Sequence, residues 1–185
     1  MPPDRRCVKT KWVFKIKRNG IFRARLVACG YSKTAGVDYM ANYAPVINDI
    51  TWRLLLIVML LKKYDGRIID IEVEFLHGDL EEEIYMDCPQ GPEDAKEDEC
   101  VKLLHTIYGL FQSARQFWRK LVNGLNNMGF KGGYPDPCIM CRKNDLGMIF
   151  IALYADDCLC IGDKDAIGSL EKEFLNAGFQ VDPPE

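Results

Sequence analysis

The fold is decided by Met148-Ile-Phe-Ile-Ala-Leu-Tyr154 and Cys158-Leu-Cys-Ile161, two apolar runs that Ala155-Asp156-Asp157 separates. Short apolar runs on either side of a polar break predict two buried strands joined as a hairpin, with the two acids at its tip. A plain turn is one interpretation of these acids, because Asp side chains hydrogen-bond to the local backbone in turns. A functional site is the other.

A third acid favours the functional interpretation. The segment Arg67-Ile-Ile-Asp-Ile-Glu72 predicts a short strand with Asp70 inside it. A carboxylate in a core strand is costly unless it is paired or binds a metal. If this strand neighbours the hairpin, Asp70 and Asp156 face and repel one another, and two divalent cations about 3.5–4 Å apart would relieve that repulsion. Two metals held by carboxylates suit in-line displacement at phosphorus, and Mg²⁺ leaves positions open for water and phosphate.

The rest of the chain alternates predicted strands and helices, which indicates an α+β fold. The elements are a basic hairpin of 11–16 and 22–28 turned at Asn19-Gly20, a capped and buried helix over 49–61, a strand at 100–104, an amphipathic helix over 113–128 built on Phe117, Leu121 and Leu125, and a last helix over 164–177. An Asn-Gly pair between alternating strands is the strongest short hairpin signal.

Composition is that of one globular domain, with 185 residues, 48% of them apolar. The net charge of −3 conceals an uneven distribution, since residues 1–34 carry +9 and residues 70–100 carry −12. Such asymmetry fits a protein that holds a polyanion with one part and cations with another, although two solvated faces would show the same pattern. No apolar run is long enough to span a bilayer and no signal peptide is recognisable, so we expect a soluble intracellular protein without a membrane partner.

The eight cysteines are expected to be reduced thiols, because most lie in or beside apolar runs. Cys138 and Cys141 have the spacing of half a zinc site, but the sequence offers no second pair. We therefore predict no zinc.

Ten short motifs follow one another along nearly the whole chain. They are Lys11-Trp-Val-Phe-Lys15, Ala24-Arg-Leu-Val-Ala28, Gly36-Val-Asp-Tyr39, Ala44-Pro-Val46, Arg53-Leu-Leu-Leu56, Asp70 with Phe75-Leu-His-Gly-Asp-Leu80, Glu83-Ile-Tyr-Met86, Tyr108-Gly-Leu110 with Gln112, Asp136-Pro137 and Tyr154-Ala-Asp-Asp157. Their order and spacing resemble the reverse transcriptase domain of Pol polyproteins from copia-type LTR retrotransposons. The resemblance implies a right-hand polymerase with an antiparallel palm sheet packed on helices, residues 1–66 mainly fingers, residues 67–185 mainly palm with interleaved fingers segments, and no thumb.

The same resemblance implies the site residues. Asp70, Asp156 and Asp157 would be catalytic, and together with the backbone carbonyl of Ile71 they would bind two Mg²⁺ ions, or Mn²⁺. The residues implied to contact the nucleotide are Phe75, which would exclude a ribose 2′-hydroxyl, together with Gln112, Arg23, Arg25 and Tyr154. Each has a plainer alternative: core packing for Phe75, a polar residue beside a helix for Gln112, and a solvated strand face for the basic residues.

The implied partners are an RNA or DNA template with its primer, dNTPs, and the integrase and RNase H parts of the polyprotein. The implied location is a cytoplasmic virus-like particle and the nucleus. Three departures weaken the expected activity: Glu72 and Glu74 near the nucleotide pocket, Cys29 where the family commonly has Lys, and a chain that ends about thirty residues after Asp157. We therefore expect this chain to bind a template–primer weakly.

Three functions remain open on the sequence. The first is RNA-directed DNA polymerase activity through nucleotidyl transfer from a dNTP to a primer 3′-OH. The second is a truncated or degenerate non-catalytic fragment with residual nucleic-acid binding. The third is a metal-dependent phosphohydrolase that uses the same acids.

Overall fold

A computed structural model of the chain describes residues 7–17, 20–29, 43–71, 78–89, 100–133 and 135–181. The chain divides into two compact units, one formed by Met1–Tyr43 and Phe75–Phe117, the other by Ala44–Glu74 and Trp118–Glu185. The strands are β1 (Cys7–Val8), β2 (Thr10–Ile16), β3 (Phe22–Ala28), β4 (Asp65–Asp70), β5 (Tyr85–Asp87), β6 (Cys100–Lys102), β7 (Lys131–Gly132), β8 (Ile139–Asn144), β9 (Gly147–Tyr154) and β10 (Asp157–Gly162). The helices are α1 (Asp49–Lys62), α2 (Ser113–Asn127) and α3 (Lys164–Asn176).

The first unit contains the predicted basic hairpin. Strands β2 and β3 pair antiparallel, with Trp12 opposite Leu26 and Lys15 opposite Arg23. Gly20 has a φ of 82°, a left-handed conformation that costs Gly little, and its N–H donates to the carbonyl of Lys17 at 2.9 Å. The hairpin is confirmed, while Arg18 and Asn19 of its turn lie outside the described residues.

The same unit holds a three-stranded sheet in the order β1-β5-β6, in which β1 and β5 run parallel. Its core is made of aliphatic side chains that pack against this sheet and the end of β3. They are Val8, Ala28, Ile84, Met86, Leu103, Ile107 and Leu110.

The second unit is built on a five-stranded antiparallel sheet in the order β4-β10-β9-β8-β7. Its central strands β9 and β10 are buried almost continuously from Ile149 to Leu153 and from Cys158 to Gly162, apart from a half-buried Phe150. Continuous apolar strands of this kind have both faces covered. Helix α3 packs against β4, β9 and β10, where Arg67 on β4 pairs with Glu171 at 2.7 Å.

Helix α2 confirms the predicted amphipathic pattern. Phe117, Leu121 and Leu125 are all buried, at the i, i+4 and i+8 positions that lie on one face of a helix. The helix is followed by Gly129, whose φ of 86° turns the chain into the buried Phe130.

The prediction of a buried helix over 49–61 is wrong in one respect. Helix α1 forms with a cap, since the side chain of Asn48 accepts the N–H of Ile50 at 2.9 Å. However, Leu55 is its one buried residue, and several of its Ile and Leu side chains are exposed. The sequence pattern has apolar residues on every side of the helix, and the described part of the chain buries only the side that carries Leu55.

The predicted mixture of helices with antiparallel strands is confirmed in the described part of the chain, which contains three helices and several sheets. None of these helices combines the length and apolar character needed to cross a membrane.

Candidate active site

The acidic end of strand β4 meets the tip of the β9–β10 hairpin. In the antiparallel register Asp70 lies opposite Asp157, and the N–H of Ile71 donates to the carbonyl of Asp156 at 3.1 Å. The expected adjacency of these two strands is therefore confirmed, but the acid opposite Asp70 is Asp157 and not Asp156 as expected. The sequence left this adjacency as a condition, because β4 is the edge strand of the sheet and only Ile69 of it is buried.

The tip itself is a tight and strained turn. Tyr154 pairs with Asp157, so that Ala155 and Asp156 form a two-residue hairpin loop. Ala155 has a φ of 52°, a left-handed conformation that favours Gly over residues with a Cβ. A loop with positive φ at its first central residue matches the right-handed twist of the strands it joins. Strain of this kind is common where a side chain must be held in a functional position.

The electrostatics of the tip favour a positive charge. Partial burial raises the pKa of Asp157, and the negative charge of Asp156 raises it further. Cys158 lies directly behind the tip and is fully buried, which raises the pKa of its thiol well above the ordinary value, and the charges of Asp157, Asp156 and Asp70 all contribute to that increase. All three acids therefore raise the pKa of the same thiol, so their negative charges lie near one another. A cation bound beside them would relieve their mutual repulsion.

The donor chemistry fits a hard divalent cation, while the side chains are not gathered into a closed cluster. Carboxylate and carbonyl oxygens are the ligands that Mg²⁺ and Mn²⁺ prefer. Among the described residues, however, no three His, Cys, Asp or Glu side chains lie close enough together to hold a metal ion. Asp70, Asp156 and Asp157 thus share one end of the sheet as potential ligands, and Ile71 forms a bridge with Val181 beside them.

A cavity of about 430 Å³ adjoins the acids within the second unit. Its size is within the range of small-molecule sites in proteins. Most of its wall is apolar, with the carboxylates of Asp49 and Asp157 as its charged groups. The lining residues are Ile47, Asp49, Trp52, Ile68, Tyr154, Asp157 and Leu159. The exposed Tyr154, predicted to contact a nucleotide, therefore lies in the wall of a cavity beside the predicted catalytic acids.

Asp136 is a supporting residue whose function the sequence did not reveal. Its carboxylate is 5% exposed and accepts the N–H of Asn48 and the N–H of Cys138, both at 2.9 Å. The carbonyl of Cys138 in turn accepts the N–H of Leu153 at 2.8 Å. Asp136 thus connects the start of α1 to the strand that carries Tyr154. An Asp before Pro is a general turn signal, which gives no indication of these long-range partners.

The other predicted nucleotide contacts belong to the first unit. Gln112 is 1% exposed, and its amide Nε2 donates to Glu82 at 3.4 Å, while its buried Oε1 has no hydrogen-bond partner in the described part of the chain. Gln112 therefore does not reach solvent in this arrangement.

The basic side chains of the hairpin differ in their surroundings. The guanidinium of Arg25 lies 4.6 Å from the centre of the Tyr108 ring, a cation–π contact. Arg23 is exposed and lies directly opposite Lys15. Like charges at opposite positions destabilise a strand pair, so that a bound anion would be favourable there. Phe75 lies outside the described residues, as do Glu72 and Glu74.

Comparison with known proteins identifies the family. The chain matches the family described as Reverse transcriptase (RNA-dependent DNA polymerase) over residues 1–182. It is 36% identical over 189 residues to the Retrovirus-related Pol polyprotein from transposon TNT 1-94 of Nicotiana tabacum, covering 98% of this chain and 14% of that protein. It is 31% identical to the corresponding polyprotein from transposon RE2 of Arabidopsis thaliana, covering 97% of this chain and 13% of that protein. For transposon RE1 of the same plant, the identity is 30%, covering 94% of this chain and 12% of that protein.

The chain thus spans between 12% and 14% of the length of these curated relatives. The match to the family extends over both units and includes the acidic hairpin, its partner strand and the basic hairpin. The resemblance drawn from the motifs is confirmed: this chain belongs to the reverse transcriptase (RNA-dependent DNA polymerase) family, in the group represented by the Pol polyproteins of copia-type retrotransposons.

Proposed function

We propose that the chain is the RNA-directed DNA polymerase domain of a copia-type Pol polyprotein and that it joins a dNTP to the 3′-OH of a primer. The observation that carries the proposal is the register of β4 with β10, which pairs Asp70 with Asp157 at the tip of a buried hairpin. Family membership supports the same reaction.

The acids would hold the metal ions of this reaction. Asp70, Asp156 and Asp157, with the carbonyl of Ile71, are the proposed ligands of two Mg²⁺ ions, which Mn²⁺ can replace. When bound, such ions activate the attacking hydroxyl and neutralise charge on the triphosphate. The strained Ala155 turn would keep Asp156 and Asp157 at the end of the sheet.

The first unit would bind the nucleotide. Lys15 and Arg23 offer two adjacent cations for phosphate groups, and their mutual repulsion is relieved when an anion binds. Gln112 would contact the nucleotide after its amide is released from Glu82. Phe75 follows Asp70 by five positions, where a bulky side chain would exclude a 2′-hydroxyl. The proposed substrates are dNTPs on an RNA or DNA template with a primer, and the proposed context is a polyprotein that also carries integrase and RNase H.

Primer extension tests the proposal. With template, primer, dNTPs and Mg²⁺, Asp70→Asn, Asp156→Asn and Asp157→Asn should each lower incorporation at least about 100-fold, because each removes a charged ligand. Asp145→Asn is a matched control, since Asp145 is an exposed acid in the turn that joins β8 to β9 at the other end of β9. Equal extension by the wild type and the three site variants would contradict the assignment.

A second candidate is a non-catalytic domain that retains nucleic-acid binding. Two observations favour it. Among the described residues, no three acidic side chains gather closely enough to hold a metal ion, and Gln112 is buried. This function predicts template–primer binding that weakens steeply with salt, together with no incorporation in Mg²⁺ or Mn²⁺. Incorporation that depends on Asp157 would exclude it.

A further inference from the structure

The side chain of Gln112 is held by one weak contact and lacks another. It is 1% exposed, and its amide Nε2 donates to the carboxylate of Glu82 at 3.4 Å, which is long for a hydrogen bond. Its Oε1 is buried and accepts no hydrogen bond from the residues that the structure describes. A buried amide oxygen without a donor is costly. The position of this side chain is therefore only weakly favoured over another position in which both amide atoms have partners.

The backbone on both sides of this contact is fixed by other hydrogen bonds. Gln112 immediately precedes α2, and its carbonyl accepts the N–H of Gln116 at 3.0 Å. The segment that carries Glu82 is held on either side, because the carbonyls of Gly78 and Ile84 each accept a backbone N–H at 2.9 Å. The contact between Gln112 and Glu82 can therefore open by rotation of two side chains, without movement of the backbone.

We propose that Glu82 is a positioning residue that acts through Gln112 and sets how tightly the first unit binds a dNTP. This inference rests on the proposed function of Gln112 as a nucleotide contact. While Glu82 holds the amide, the side chain of Gln112 is buried and does not reach solvent. Once released, its N–H groups and its oxygen can both pair with the nucleotide. Because only the released form is competent, the apparent affinity is the intrinsic affinity multiplied by the released fraction.

Equilibrium titration of a dNTP and Mg²⁺ into the 185-residue chain tests the proposal, with the chain saturated by a template–primer that ends in a dideoxynucleotide. Glu82→Ala removes the acceptor of the Gln112 amide and should lower the dissociation constant of the dNTP by about three- to tenfold, because the released form becomes more populated. In primer extension, the same variant should lower KM by a similar factor and leave kcat unchanged.

Three further variants separate the hydrogen bond from the negative charge. Glu82→Gln removes the charge but keeps an oxygen that can accept from Gln112, so that the dissociation constant should stay within about twofold of the wild type. Glu81→Ala removes an exposed negative charge from the adjacent position and should stay within the same limit. In a Gln112→Ala background, Glu82→Ala should no longer change the affinity, because its effect passes through the amide.

The outcomes distinguish this proposal from the polymerase assignment. An unchanged dissociation constant in Glu82→Ala would overturn the role of Glu82, and so would equal tightening by Glu82→Gln, since repulsion by the charge would then explain the effect. A chain that binds no dNTP at millimolar concentration would also overturn it. If Glu82→Ala binds the dNTP more tightly while the wild type adds no nucleotide to an extendable primer, the role of Glu82 stands and the proposed polymerase activity is wrong.

Discussion

Ala155 carries the strain of the acidic turn. A left-handed conformation costs a residue with a Cβ about 1–2 kcal/mol relative to the right-handed one, and Gly avoids this cost. The sequence indicated a turn between two strands, but a backbone angle depends on strand register, which only pairing with β4 and β9 determines. The position of Asp156 and Asp157 at the junction of two strands could therefore be predicted from sequence, whereas the strain at Ala155 could not.

Replacing Ala155 with Gly should stabilise the protein. We expect Ala155→Gly to raise the free energy of unfolding by about 1 kcal/mol, because the strain disappears. The control is Ala177→Gly, since Ala177 has an ordinary φ of −78° at the end of α3 and should lose up to about 1 kcal/mol instead. Urea unfolding measures both changes. If Ala155→Gly lost as much stability as Ala177→Gly, the conclusion that the backbone of Ala155 is strained would be wrong.

Asp157 should make stability depend on pH. Because its pKa is raised in the folded protein, ionisation of Asp157 is less favourable there than in the unfolded chain, and it destabilises the fold above the ordinary carboxyl value of 3.8. In the presence of EDTA, Asp157→Asn should therefore be more stable than the wild type at pH 7. The difference should shrink as the pH falls from the raised folded pKa towards 3.8, because the folded carboxyl takes up its proton first, and it should be gone below 3.8, where both states are protonated. Urea midpoints between about pH 3 and pH 8 measure this, and a variant less stable than the wild type at pH 7 would contradict it.

At the scale of elements, Asp136 holds two segments together through buried hydrogen bonds. Asp136→Ala leaves the N–H groups of Asn48 and Cys138 without their acceptor and should cost about 2–4 kcal/mol of unfolding free energy. Asp136→Asn keeps one side-chain oxygen as an acceptor and should cost about half as much. Asp145→Asn, an exposed acid, should change stability by less than about 0.5 kcal/mol. Equal stability of Asp136→Ala and the wild type in urea would show that Asp136 does not secure α1.

Some elements were accessible to sequence analysis and others were not, for physical reasons. Strands β9 and β10 and helix α2 have strong periodic or continuous apolar patterns, so they were predicted. Strand β8 was missed because Arg142 and Lys143 interrupt its apolar character. Arg142 is accommodated through Glu173 of α3 at 2.6 Å, the carbonyl of Met128 at 2.9 Å and the Phe130 ring. Helix α1 was correctly predicted as a helix, but a local pattern contains no information about how many partners cover it.

At the scale of the whole molecule, charge is unevenly distributed between segments of the chain. The basic residues of 1–34 include the exposed pair of Lys15 and Arg23 on the hairpin. The predicted division into fingers and palm stays a prediction, as do the roles of the site residues. Because binding to nucleic acid can be measured without catalytic activity, it can test the contribution of these basic residues separately from the site acids.

The hairpin should supply part of the salt dependence of that binding. In a plot of log affinity for a template–primer against log salt, the double variant Lys15→Gln/Arg23→Gln should lower the magnitude of the slope by about 1–2, because each lost phosphate contact removes about 0.9. Lys143→Gln, an exposed cation of the second unit, is the matched control and should leave the slope unchanged. An unchanged slope in the double variant would remove the hairpin from the nucleic-acid surface.

The buried thiol behind the acidic tip has a practical consequence. Because only a thiolate reacts readily with alkylating agents, Cys158 is protected both by its burial and by its raised pKa. It becomes accessible only when the packing around β10 opens, whereas Cys88 is half-buried and belongs to the first unit. A pulse of maleimide followed by peptide mass spectrometry would thus time the opening of the packing around β10 with a reporter that the protein already contains.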